Sequence, residues 1–363
     1  MRQYRICLLP GDGIGHDVIA EGIQTLHFLA ELRSDFRLET EQFDWGCEYY
    51  LRHGLMMPKD GLNTLREFDA IYLGAVGFPT VPDHISLRGM LLPIRQDFDL
   101  YVNLRPIRLL PGIEGPLRNR TAADINFICV RENTEGEYAG VGGWVHRGLP
   151  TETAVQTSVF TRHGVERIIR YAFELAQREG RRKVTSATKS NAQQYGPVLW
   201  DEIHARVAQE YPQIATEKWH IDALAARFVT HPQTLDVVVG SNLFGDILTD
   251  LGGALQGSLG IPPSANLNPE PETRRGPAMF EPVHGSAPDI AGKGIANPIG
   301  ALWSCQMMLA YLGEIDAASA LMHAIETVTA EGRVLTPDLG GSATTQEVAQ
   351  AVRDNLQKQH KGL

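Results

Sequence analysis

Cysteine is sparse in this chain of 363 residues: Cys7, Cys47, Cys129 and Cys305 stand far apart. That scatter excludes a cysteine-rich zinc site and a disulfide scaffold, and it suits thiols kept reduced. A basic run is missing too. With 33 Lys plus Arg against 43 Asp plus Glu, a net charge of -10, the chain lacks the positive face that phosphate contacts require. Nucleic acid is therefore not expected as a partner. No apolar stretch approaches the roughly 20 residues that span a bilayer, and the opening MRQYRICLLPGDGIG has neither a long apolar segment nor a cleavage site. No membrane and a cytoplasmic location are the expectation. Low-complexity tracts and fixed-period repeats are absent as well, and 43% hydrophobic with 21% charged residues describes an ordered protein.

What is present alternates. Short apolar, β-branched runs (RICLLP from Arg5, DAIYLGAV from Asp69, INFICV from Ile125, KVTSAT from Lys183, LDVVVG from Leu235) recur between helical patterns. Apolar residues at three- and four-residue spacing predict helices at Gly15 to Glu31, Gly164 to Arg178, Tyr195 to Gln209, Leu243 to Leu255 and Pro298 to Leu312. The expected fold class is α/β around a central sheet, and the length exceeds what one core usually serves, so two lobes are expected. From Gly142 to Thr161 the pattern turns from turn-rich to alternating at Val155, Thr157 and Val159. This reads as a projecting β-ribbon, an arm able to clasp a second subunit. LNPEPETRRGP from Leu267 reads as a loop.

Chemistry-bearing residues fall at strand ends. GDGIGH from Gly11 imitates a dinucleotide fingerprint but has His16 where the third glycine is required. By itself it is either a plain strand-to-helix turn or a place where a ligand passes close to backbone. After LDVVVG come Ser241 and Asn242, capping-type residues, and then a helix with Asp246 and Asp250 four residues apart and so on one face. Two such carboxylates suit Mg²⁺ or Mn²⁺, although D-x-x-x-D alone also fits a solvated helix face. Arg95, Arg105 and Arg131 could grip a di-acid bidentately if they converge, and singly each fits a surface ion pair. Arg131, ending a buried strand, requires a partner. Lys189 follows a strand in TKSN, and a nearby divalent cation would draw its pKa toward that of a general base. Tyr138 follows the turn-like ENTEGE; either residue could instead be ordinary packing or surface.

Together these pieces carry a resemblance over essentially the whole chain. LPGDGIG at Leu9, VNLRP at Val102, VRENTEGEY at Val130, TKSN at Thr188, SNLFGDILTDLGG at Ser241 and EPVHGSAPDIAGKGIANP at Glu281 resemble the β-decarboxylating dehydrogenases that act on isopropylmalate, isocitrate, D-malate and tartrate. The resemblance implies an isopropylmalate-dehydrogenase-like fold of two lobes, residues 1–100 with 255–363 and residues 101–254, with the dimer-clasping arm near 142–161. It implies a homodimer with shared active sites. Metal ligands would be Asp246, Asp250 and, from the second copy, Asp222; the catalytic pair would be Tyr138 and Lys189, Lys189 also reaching across. Arg95, Arg105 and Arg131 would clamp substrate carboxylate.

NAD is the implied cofactor, held by Ile14, His284, Gly285, Ser286, Ala287, Asp289, Ile290 and Asn297. Asp289 would accept from ribose hydroxyls and repel a 2′-phosphate, as acidic residues do in Rossmann proteins; NADP-using relatives carry Lys and Tyr where this chain has Asp289 and Ile290. Potassium is implied by the family alone. For the substrate, Leu91, Leu92 and Arg95 match isopropylmalate enzymes, but Arg88 stands where those carry Glu, and the Ser and Asn pair of isocitrate enzymes is not found. VPDHISL, CEYY and FTRHGVERIIRYAFELA look like the subgroup acting on tartrate and D-malate. The implied reaction is metal-assisted oxidation of the 2-hydroxyl, with decarboxylation of D-malate to pyruvate and decarboxylation of meso-tartrate as a further reaction. The rivals are an isopropylmalate dehydrogenase and a catalytically silent regulatory subunit of the same fold.

Overall fold

The computed structural model describes residues 1–361. Twelve strands form in chain order: β1 Arg2–Gly11, β2 Phe36–Gln42, β3 Ala70–Ala75, β4 Val102–Arg108, β5 Asn126–Glu132, β6 Gly136–Val145, β7 Thr153–Val159, β8 Lys183–Thr188, β9 Ala215–His220, β10 Val237–Gly240, β11 Pro263–Leu267 and β12 Ala278–Pro282. Ten of them make one sheet in the order β2-β1-β3-β12-β11-β4-β5-β10-β8-β9. Each flank is parallel, while β11 runs antiparallel to both β12 and β4, and β4 antiparallel to β5. The protein is thus mixed α/β with a large central sheet, as the alternating pattern predicts.

Burial explains which strands the sequence announces. All six residues of β3 and all four of β10 are buried, and strands covered on both faces read as unbroken apolar runs. Three others are less visible. β2 (FRLETEQ) is an edge strand and β9 (ATEKWH) is polar, while β4 contains Pro106. They become strands because their neighbours pair with them, an effect outside any local pattern.

The five expected helices form at Gly15–Arg33, Arg162–Arg178, Gly196–Ala208, Asn242–Leu255 and Ile299–Tyr311, and further long ones at Ile315–Glu331 and Thr345–Lys361 complete the layer beside the first of these. The helix Thr345–Lys361 is tied to the helix Gly15–Arg33: Arg353 Nη1 donates to Glu21 Oε2 at 2.9 Å inside the packing. The ribbon is present but starts earlier than expected, at Gly136, and β6 pairs with β7 through an irregular register between Gly136 and Val141. Its tip, with Val141, Trp144, Val145, Leu149 and Val155, is exposed and apolar. Exposed apolar side chains grouped on one projecting element suit contact with another protein surface.

Candidate active site

The carboxyl end of β5 and the antiparallel β4 beside it set the site. β4 delivers Arg105 and β5 delivers Arg131, and both side chains are buried, as is Arg95 from the helix Leu92–Asp97. A buried guanidinium is tolerable only when paired. Arg95 donates to Glu281 at 2.8 Å on β12. Arg131 donates through Nε and Nη2 to Asn242 Oδ1 at 3.1 and 2.8 Å and through Nη1 to Asp246 Oδ1. Arg105 donates to Thr249 Oγ1 and lies 3.9 Å from both Asp246 and Asp250. Burial pulls the Arg131 pKa down to about 10 against the opposing field of Asp246, and Arg105 moves in the same direction for the same reason.

Glycine makes the close approach possible. A Cβ on Gly245 would lie 2.5 Å from Arg131 Cβ, so the helix can rest on the guanidinium stem only with no side chain there. Ser241 and Asn242 do not cap this helix as expected. The Ser241 hydroxyl donates to Glu137 Oε1 at 2.9 Å, and Glu137 Oε2 receives the Leu243 N–H at 3.1 Å, so a carboxylate from β6 caps in their place. Asn242 is given over to Arg131.

Asp246 also accepts from the Tyr138 hydroxyl at 2.9 Å. Burial favours its neutral form, but Arg131, Arg105 and this hydrogen bond prevail and hold its pKa below the usual carboxylate value. Tyr138 moves oppositely, pushed up to about 12 by burial and then by the Asp246 charge. Asp250 is different: its side chain is 70% exposed and its one ion-pair partner among the described residues is Arg105 at 3.9 Å. Its oxygens remain open, which fits a hard cation taking oxygen donors from this helix face.

Asp246, Arg95, Arg105, Arg131 and Tyr138 therefore converge on one pocket of about 250 Å³, closed opposite by Val76, Asp83, Ser86, Leu87 and Leu91. Lys189 and Asp222 do not join them. They sit together elsewhere, Lys189 Nζ donating to Asp222 Oδ1 at 2.9 Å. Among the described residues no three acidic, histidine or cysteine side chains gather closely enough to hold an ion.

A neighbouring cleft shares Val76 and Asp83 with this pocket and is lined by Gly77 to Pro82 on one wall and by Gly285, Ser286 and Pro288 on the other. His284 is turned so that its Nε2 is buried without a partner, and burial lowers its pKa. An orphaned ring nitrogen beside a backbone-lined cleft fits a ligand rich in polar groups, such as a dinucleotide. Ala287 holds φ +38, Asp289 is exposed and Ile290 is half-buried, its N–H donating to Ala287 O at 3.1 Å. Ile14 is buried, its N–H donating to Ser286 O at 2.8 Å. Asn297 is buried with both ends of its amide engaged, by Asp338 at 2.9 Å and by the Ile299 N–H at 3.0 Å. Asp83 and Ser86 lie in VPDHISL, a stretch that carries the resemblance, although neither residue is marked individually there; Val76 and Asp338 have no chemical signal in the sequence.

An anion-gripping wall facing open carboxylate oxygens belongs to an enzyme that handles a small organic acid. Residues 5–352 match the isocitrate/isopropylmalate dehydrogenase family, and the chain belongs to that family. It is 56% identical over 352 residues to a probable tartrate dehydrogenase/decarboxylase of Agrobacterium vitis, covering 97% of this chain and 96% of the relative. It is equally 56% identical, over 359 residues, to D-malate dehydrogenase [decarboxylating] of Escherichia coli, covering 97% and 98%. Among solved structures, isocitrate dehydrogenase from Methylococcus capsulatus superposes with a TM-score of 0.85 at 35% identity, covering 97% of this chain and 99% of that one. The isopropylmalate-dehydrogenase-like fold and the enzymatic character expected from the resemblance both hold. No helix among the described residues is long and apolar enough to cross a membrane.

Proposed function

We propose that the protein oxidises a small 2-hydroxy diacid, tartrate or D-malate, using NAD and Mg²⁺ or Mn²⁺, and decarboxylates the D-malate product to pyruvate. The observation that carries this reading is the convergence of three buried guanidiniums with Asp246 and Tyr138 on one pocket. The names of the relatives support it. Arg88, where isopropylmalate enzymes carry Glu, argues against that substrate.

Asp246 and Asp250, with Asp222 of a second copy, would hold the divalent cation, which supplies Lewis acidity at the 2-oxygen, while NAD accepts the hydride. Arg95, Arg105 and Arg131 orient the far carboxylate. Lys189 of the second copy takes the hydroxyl proton. When the carbon–carbon bond to carbon dioxide breaks, its electron pair passes into the enol, and Tyr138 returns a proton to that carbon. A phenol with its pKa near 12 keeps its proton at neutral pH, as this step requires. Separation of the Lys189–Asp222 pair from the pocket and the apolar exposed ribbon together support a homodimer with shared sites. The sheet order, in which β1, β2, β3, β11 and β12 occupy one half, supports a division into two lobes, 1–100 with 255–363 and 101–254.

Rates with D-malate, L-tartrate, isopropylmalate and isocitrate, each with NAD and either cation, test the reading. D-malate or tartrate should exceed the other two in kcat/KM by on the order of 100-fold. Isopropylmalate as best substrate would overturn it, and so would inactivity with all four, the outcome for a silent subunit.

A further inference from the structure

The glycine turn that only imitates a fingerprint holds the most deeply buried acid near the site. Asp12 is 0% exposed and has no cationic partner among the described residues. Its carboxylate accepts three backbone donors: Cys47 N–H at 2.9 and 3.1 Å to its two oxygens, Glu48 N–H at 3.3 Å and Gly77 N–H at 2.9 Å. Charge-assisted bonds of this kind are roughly twice as strong as neutral ones, and a buried carboxylate without them is costly. Gly77 begins the first wall of the cofactor cleft.

The same turn reaches the opposite wall. Ile14 N–H donates to Ser286 O at 2.8 Å, and a Cβ on Gly13, which holds φ +57, would lie 2.0 Å from that oxygen. The main chain of Asp12 also donates to Ala75 O at 2.8 Å. One five-residue turn is therefore bonded to residues 75–77 on one side and pressed against Ser286 on the other.

We propose that Asp12 is a positioning residue for the dinucleotide: through Gly77 on one side, and through Gly13 and Ile14 to Ser286 on the other, the Gly11–Gly15 turn fixes the distance between the two cleft walls. This rests on reading residues 284–290 as the dinucleotide segment. Gly13 has no side chain because the second wall occupies its place.

Asp12→Asn sets an amide NH₂ against backbone N–H donors while keeping the side chain's shape. Calorimetric titration of the metal-free protein with NAD should give a Kd raised on the order of tenfold, and KM for NAD should rise with it. KM for the hydroxy acid should stay within about twofold, since none of the arginine pairs changes. Gly13→Ala, which must displace Ser286, should weaken NAD in the same selective way and carries the test should Asp12→Asn not fold. A purely structural turn would lower the unfolding midpoint with NAD affinity unchanged in both variants, and that result overturns the inference. Wild-type protein that binds neither NAD nor NADP overturns the dinucleotide reading itself. Wild-type protein that binds NADP alone corrects only the cofactor, and the variants are then read with NADP.

Discussion

Asp250 and Asp246 lie one helical turn apart yet are held differently. Asp246 compensates the buried Arg131, so Asp246→Asn should cost roughly 2 kcal/mol of stability even without metal, because a paired guanidinium loses its counter-charge. Asp250 has no hydrogen-bonding support, so Asp250→Asn should leave metal-free stability within about 0.5 kcal/mol. It should nevertheless remove most of the rise in melting temperature that Mg²⁺ or Mn²⁺ produces. Urea midpoints of the metal-free variants and thermal unfolding with and without cation check the two statements; equal stability losses would make Asp250 structural. The acidic pair was legible because a four-residue spacing puts side chains on one face, and a partner for Arg131 was required by its burial. Asp83 and Ser86 are legible only as members of VPDHISL, through the resemblance, and Asp12 is not legible as a site-building residue, since what brings it to the cleft is strand pairing between segments far apart in sequence.

Elements were read best where both faces are covered. β3 and β10 declare themselves by apolar runs, whereas β2, β4 and β9 depend on their neighbours. Helix starts were read less well. Ser241 and Asn242 have cap chemistry, but a carboxylate from another element and a buried guanidinium compete for them more strongly than the helix does. Glu137→Ala should therefore cost on the order of 1 kcal/mol, as loss of a cap does, and should lower turnover through the disturbed position of Asp246.

The helix Gly196–Ala208 carries a buried titratable group. His204 is buried, with its Nε2 2.9 Å from Thr216 Oγ1, and burial lowers its pKa from 6.5 to about 4. Between these values the unfolded chain binds the proton and the folded chain does not, so stability rises with pH across that window. Full protonation below it forfeits on the order of 3 kcal/mol. His204→Gln should flatten the stability curve between pH 4 and 6.5, and urea midpoints over that range provide the comparison. An unchanged slope would show that His204 does not titrate in this way.

For the whole molecule, the sequence motifs jointly specified the family, and the α/β class followed from the alternation of runs and helices. The pairing of residues across chains has no local signature, because no pattern within one chain says which of its side chains face a second copy. In this structure the pocket has Asp246, Tyr138 and the three arginines, while Lys189 is bound to Asp222 away from it. The most direct measurement is subunit complementation between Asp246→Asn and Lys189→Ala, each inactive alone. Unfolded together and refolded as an equal mixture, about half of the dimers are mixed, and each mixed dimer has one site with both residues intact. The account predicts recovery of about one quarter of wild-type activity. No recovery, with mixed dimers demonstrably formed, would mean that each chain works from its own residues and would contradict the shared site.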